Sequence, residues 1–405
     1  MTTLTYRLAA SAAALALATA CSRGGRSFDE ALKIEPLSLS APADSAMPQL
    51  TVSGDRAILS WVETGPTGES TLKFAERTGS GWAEPQTVAS GSAWFLSAAD
   101  VPSVMRLDEG TLAAHWFTES DASIEAYDVR LAFSKDDGRT WAAPISPHHD
   151  ATKTQHGFVS LFPMPGSGLG AAWLDGRQMA LEADKGNDNM SVRFAAFGRD
   201  GTQMSEVVVD ARVCECCPMA VAITSGGPIL AYRDRSPGEI RDIAVSRFVN
   251  GAWTEGHPAH EDGWEIHGCP VNGPAIAARG PSVAVAWFTA KNEQGHAFVA
   301  FSPDAGATFG TPVRLDDVRS LGRVAIALLD DGSAVAASIE PADGRAELRV
   351  RRVDGSGRRA AAQTVAVVAG RGGGYPRLVR RGQELLLAWT ESRSTIRTAV
   401  VKLTP

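Results

Sequence analysis

The 405-residue sequence has no basic run, and its 39 Lys and Arg against 46 Asp and Glu leave a net charge of −7. A chain charged in that way repels a phosphate backbone, which argues against nucleic acid as a partner. The sequence also lacks a long apolar segment. Its one candidate, Leu8 to Ala20 after Arg7, covers thirteen residues, too few to cross a bilayer as a helix. Cysteine is scarce at five, and tyrosine scarcer at four. Glycine (40) and tryptophan (10) are plentiful, and 44% of residues are apolar. That composition suits many short strands joined by tight turns around an ample core.

The apolar run ends in Leu17-Ala18-Thr19-Ala20-Cys21. Its length and its small-residue end predict an export signal over residues 1–20. The pentapeptide resembles a bacterial lipobox, which implies that Cys21 becomes the lipidated first residue of the mature chain. Residues 21–27 then form a lipidated tether and residues 28–405 one domain. Ser22 is not a retention Asp, so the expectation is a cell-envelope lipoprotein of the outer membrane, monomeric and touching the membrane only through its lipid. Four cysteines remain in the domain: Cys214, Cys216, Cys217 and Cys269. An even number in an exported protein favours disulfides.

One unit recurs along the chain. Its second strand ends in an aromatic residue at Trp61, Trp116, Trp173, Tyr232, Trp287 and Trp389, with Ser338 in the same place in the sixth unit. Successive marks are 51 to 59 residues apart, and each interval holds about four short apolar strands. Periods of this size predict the blades of an all-β propeller, seven in number. The seventh unit supplies only three strands before the chain ends, while Ile34 to Leu39 resembles the outer strands of the other units. An N-terminal strand around Pro36 to Leu39 is therefore expected to pair with the strand around Thr395 to Leu403 and close the ring, removing the exposed edges.

Two turns share the form S-x-D-x-G-x-T-aromatic: Ser134, Asp136, Gly138 and Trp141 in one, Ser302, Asp304, Gly306 and Phe309 in the other. The Asp is placed to accept turn amides, the Gly to take a positive φ, and the ring to cover the turn. The pattern resembles the Asp-box, or BNR repeat, of the sialidase-like β-propeller superfamily. Sialidases are six-bladed, and six blades stand as the alternative count.

In a propeller the inner strand of each blade starts on the ligand face. Those starts place His156, the group Cys214, Cys216 and Cys217, and the pair His267 and Cys269 in three successive units. Two readings stay open. One is disulfide stapling of units four and five, with Cys269 bonded to Cys216 or Cys217. The other is a soft-metal site for copper or zinc; no other cofactor is expected. A second group, Asp175 and Arg177 with Arg233, Asp234 and Arg235, is either a solvated rim or an anion or sugar site. Acidic residues also recur two places after the aromatic mark, at Glu63, Asp175, Asp234, Glu340 and Glu391.

The sialidase resemblance implies that Tyr375 stands where a Tyr nucleophile would, Glu391 where a Glu orients an arginine, and Arg323 where a substrate-binding arginine would. The first-arginine motif, F/Y-R-I-P, is absent, and unit one reads MPQLTV. The expected function is therefore an exported propeller that binds a small-molecule or glycan ligand on its funnel face. An exo-α-sialidase-type hydrolase and a metal-handling lipoprotein are the alternatives.

Overall fold

The computed structural model describes Met1 and residues 28–123, 125–181, 189–392 and 394–403. The rest of the expected signal, and Cys21 with it, lies outside the described residues. Seven antiparallel sheets form a ring of blades, which decides the count in favour of seven over six. Blade one is Ser45–Ser53, Arg56–Thr64, Ser70–Glu76 and Gln86–Gly91, running from the inner to the outer strand. Blade two is Ser103–Asp108, Thr111–Glu119 and Tyr127–Ser134, its outer edge reduced to a bridge between Leu131 and Ile145. Blade three is His156–Met164, Gly168–Asp175, Met190–Phe197 and Gln203–Val213. Blade four is Ala220–Thr224, Gly227–Arg233 and Ile243–Val249, with an outer edge split between Ala252–Trp253 and His257–Pro258. Blade five is Ala275–Arg279, Ser282–Thr289, His296–Ser302 and Val313–Arg314. Blade six is Gly322–Leu328, Ala334–Ala342, Arg345–Val353 and Gln363–Val368.

Blade seven is Arg377–Arg381, Glu384–Thr390 and Ile396–Leu403, and its outer strand is Leu32–Leu37 from the other end of the chain. The register sets Pro36 opposite Ala399 and Leu32 opposite Leu403. The closing strand lies slightly earlier than the sequence suggested, ending at Leu37. As the outermost strand it tolerates Pro36, because an edge residue needs no ladder N–H on its solvent side.

Burial on both faces follows from alternation. In the second strand of blade one, Ile58 and Val62 pack toward blade two while Leu59 and Trp61 pack toward blade seven. A side-chain period of two therefore fills two inter-blade cores at once. An apolar cluster lies between each adjacent pair of blades around the whole ring.

The two S-x-D-x-G-x-T turns are superposable in their bonding. Ser134 Oγ donates to Asp136 Oδ1 at 2.8 Å, and Gly138 N–H donates back to Ser134 Oγ at 2.9 Å. Thr140 gives its N–H to Oδ1 and its hydroxyl to Oδ2 of Asp136. Ser302, Asp304, Gly306 and Thr308 repeat each of these bonds. The glycines sit at φ of 85° and 81°, and a Cβ on either would drive into Phe74 or Ile229 of the preceding blade. Each turn is thus a plug between blades.

The Thr140 N–H, its hydroxyl and the Ser134 hydroxyl hold the Asp136 carboxyl down at about 2. Thr308 and Ser302 do the same for Asp304, also at about 2. A depressed carboxylate contributes its stability above its unfolded value, near 4, and loses it as pH falls through the folded one. The Asp136→Asn, Asp304→Asn double variant should therefore show a shallower loss of stability between about pH 4 and pH 2 than the parent. Urea midpoints measured across that range decide it, and parallel curves would remove the turns from the acid response.

Candidate functional site

Backbone strain gathers where the inner strands begin. Met47, Phe158, Val271 and Arg323 have φ of 59°, 54°, 48° and 55°, and Gly374 has 77°. These sit at or just before the inner strands of blades one, three, five, six and seven. A positive φ is sparsely populated for any residue with a Cβ, and least of all for a β-branched one such as Val271. Such strain persists where surrounding structure over-determines it, commonly at functional sites.

Asn272 ties these segments together. Its side-chain Oδ1 accepts the Arg323 N–H at 3.0 Å, and its own N–H donates to Cys217 Sγ at 3.4 Å. Tyr375 reaches across the ring, its phenol donating to Val271 O at 2.9 Å and accepting the Gly273 N–H at 3.0 Å. Burial pushes the phenol up to about 12. Arg323 lies with its guanidinium carbon 4.3 Å from the Tyr375 ring centre, and Arg377 with its own at 5.5 Å. Arg323 donates to the carbonyls of Val271 and Arg371, and its buried Nε has no acceptor among the described residues. Arg377 donates to Pro48 O at 3.3 Å. Neither arginine has a carboxylate partner among the described residues. Burial, with Arg323 close by, lowers Arg377 to about 10. Beside Tyr375 opens a recess of about 60 Å³ whose walls include Met47, Pro48, Ala98, Val101 and Thr390.

Glu391, expected beside this group, instead pairs with Arg397 at 2.9 Å on the surface. It lies just past the second strand of blade seven, Glu384–Thr390. The structure gathers Tyr375 and Arg323, while Glu391 holds an arginine elsewhere, Arg397.

The thiols meet, but not as expected. Cys214 Sγ is 3.5 Å from Cys217 Sγ and 3.8 Å from Cys216 Sγ. Cys269, exposed, approaches Cys216 and lies 3.5 Å from Glu215 Oε1. All four are free thiols, so the expected bridge from Cys269 to Cys216 or Cys217 is not formed. Arg241 donates to Cys214 Sγ at 3.3 Å, and its other bonds go to Glu215 and Glu239. Contact with the Cys216 and Cys217 sulfurs holds the Cys214 thiol well below the usual thiol range. His267 does not join the cluster. It is 74% exposed and faces Glu265.

The remaining sequence candidates are engaged by partners within the protein. Arg233 is 1% exposed. Its guanidinium donates to Asn272 O at 3.0 and 2.7 Å, Arg241 O at 2.5 Å and Phe288 O at 2.7 Å, and stacks over Trp264. It is not available to a ligand. Arg235 is engaged with Glu239 at 2.9 Å. Asp234 accepts the Arg235 N–H, and burial pushes its carboxyl up to about 6.

His156, Asp175 and Arg177 form a buried ion network with Asp150 and Glu206. The His156 ring stacks on His148 at 3.7 Å. Three of the five acidic residues two places after the aromatic mark hold that mark in place. Glu63 accepts the Trp61 indole N–H at 2.9 Å, Asp175 that of Trp173 at 2.8 Å, and Glu340 the Ser338 hydroxyl at 3.1 Å. The spacing of two was the available signal, since residues i and i+2 share one face of a strand.

Sequence reasoning missed Arg377 and Asn272. Arg377 follows Tyr375 by two and so was within reach of the same face argument. Asn272 gave no local signal.

No protein-family model and no curated protein matches the sequence. Solved structures do. The polysaccharide lyase Uly1 aligns over 95% of this chain and 94% of its own, at 10% identity and a TM-score of 0.54. The NanB sialidase of Streptococcus pneumoniae aligns over 93% and 94%, at 9% identity and 0.47. The α-L-arabinofuranosidase Arb93A of Fusarium graminearum aligns over 94% and 99%, at 11% and 0.48. At these identities the likeness is one of fold, the bladed β-propeller that the sheets themselves display.

Proposed function

We propose that this protein is a lipid-anchored propeller of the bacterial envelope that binds an anionic ligand, the acid group of a glycan, at the centre of its ligand face. One observation carries the reading: Arg323 and Arg377 flank a single phenol ring with no carboxylate partner among the described residues. Two guanidiniums close together and away from water are costly until an anion joins them, and Arg presents a planar fork suited to carboxylate or sulfate. The carbohydrate-acting neighbours share this fold, which is consistent with that ligand class.

The test is a glycan array followed by titration of a bound hit. Acidic glycans should bind, and Arg377→Gln should weaken them at least about 10-fold. Binding confined to neutral glycans, or unchanged in Arg377→Gln, overturns the reading. A fluorogenic sialoside should not be turned over, because the Tyr375 phenol is buried and hydrogen-bonded to backbone. Turnover that vanishes in Tyr375→Phe would restore the hydrolase alternative. The anchor is tested separately: membrane-bound protein should carry a diacylglyceryl group on Cys21, and Cys21→Ala should release it.

A further inference from the structure

The thiols stand apart from that reading. Cys214, Cys216 and Cys217 lie in the short loop between the outer strand of blade three and the inner strand of blade four. Cys269 comes from the loop that leads into blade five. Three sulfurs of the C-x-C-C loop fall within 4.8 Å of one another. Disulfide sulfurs are about 2.0 Å apart, whereas a tetrahedral ion with metal–sulfur bonds of about 2.3 Å spaces its sulfurs about 3.8 Å apart. The separations here, 3.5 and 3.8 Å, match the second figure.

The surroundings are those of an anionic sulfur cluster. Arg233 is a fully buried cation with no carboxylate partner among the described residues, and Cys214 and Cys217 are close enough to feel its charge. Arg241, 2% exposed, aims a guanidinium N–H at Cys214 Sγ. The Asn272 N–H aims at Cys217 Sγ. N–H donors around the sulfurs are the outer support that orients metal ligands.

The two loops are also locked together independently of the sulfurs. A Cβ on Gly273 would drive into the backbone carbonyl of Pro218, so only glycine lets the Cys269 loop dock on the Cys217 loop. Gln155 clamps the first loop from blade three, donating to Glu215 O at 2.8 Å. Cys217-Pro218 and Cys269-Pro270 each fix the chain just after a ligand.

We propose that Cys214, Cys216, Cys217 and Cys269 form a binding site for a thiophilic d10 cation, Zn2+ or Cu+, bridging blades four and five. Each thiol that binds releases its proton to solvent. Four thiolates on Zn2+, or three on Cu+, carry a net charge of −2; buried Arg233 offsets part of it, and Arg241 adds an N–H donor to Cys214 while it stays paired with Glu215 and Glu239. Exposed Cys269 separates the two ions: it is the fourth ligand that tetrahedral zinc requires and a spare one for three-coordinate copper.

The test is metal analysis of the full-length protein, purified without reductant or chelator, with competition titrations against a zinc and a cuprous chelator. One equivalent of Zn2+ or Cu+ per chain should be retained. Cys214→Ser and Cys217→Ser should each weaken binding at least about 100-fold, and Arg241→Gln about 10- to 100-fold with the thiols intact. Cys269→Ser should weaken zinc by about 10-fold or more and leave Cu+ nearly unchanged. Should the cysteine variants fail to fold, Co2+ added to the parent protein should give the near-ultraviolet thiolate charge-transfer band of a site with three or more sulfurs. Absence of that band, affinity no better than that of a four-Ser variant, or disulfides joining these cysteines in the unreduced protein overturns the proposal. Glycan binding does not enter this test, so either reading can fail alone.

Discussion

Deletion of residues 28–42 is expected to lower the melting temperature by roughly 5–8 °C and to promote self-association. The segment provides the outer strand of blade seven through six backbone pairs from Leu32 to Leu37. Leu32 is buried in the core between blades six and seven, with Ile34 packed against the same cluster. Leu37, Leu39 and Ala41 pack against the core between blades seven and one, and the Phe28 ring receives the Arg352 and Arg358 guanidiniums. Returning one buried and several half-buried apolar side chains to water costs about 4–6 kcal/mol. The deletion also bares the ladder edge of Ile396–Leu403, where another chain can pair. Calorimetry and light scattering on the truncated protein measure both effects, and an unchanged melting temperature would mean that blade seven stands on three strands.

The second large effect belongs to Arg233. Arg233→Met should destabilise the fold by about 3–5 kcal/mol. Met matches much of the volume, so packing is largely kept, but the carbonyls of Asn272, Arg241 and Phe288 lose their donor in a dry interior. A buried acceptor without a partner costs about 1–3 kcal/mol. Arg233→Lys should rescue only part of the loss, since one ammonium cannot reproduce a fork that reaches three carbonyls. The loss should be larger in metal-loaded protein than in metal-free protein if the sulfur cluster is anionic, because its counter-charge is then gone. Urea denaturation of both variants gives the values, and a change below about 1 kcal/mol would show that water or a neighbour replaces the guanidinium.

These two cases mark what the sequence could and could not say. The ring was legible because its signals are local and repeated: an aromatic mark at intervals of 51 to 59 residues, alternating strands, and glycine turns. Alternation within a strand determines which residues face which neighbour, so seven similar units specify seven similar interfaces. The missing fourth strand of the last unit told where the N-terminus must go, and only its register, Pro36 on Ala399, waited for the structure. The roles of the polar residues were not legible in this way. Arg177, Arg233 and Arg235 read alike as loop arginines, yet one joins a carboxylate network, one is walled in by backbone carbonyls and one pairs with Glu239. Which partner an arginine finds is set by segments far away in the chain. Asn272 lies 39 residues from Arg233, and Val271 lies 104 residues from Tyr375. The cysteines show the same division. Their number and spacing brought them to adjacent blades on one face, while disulfide or metal distance is a matter of ångströms. Those distances depend on how Gly273, Asn272 and Arg241 seat two loops against each other, and only the tertiary structure decided them.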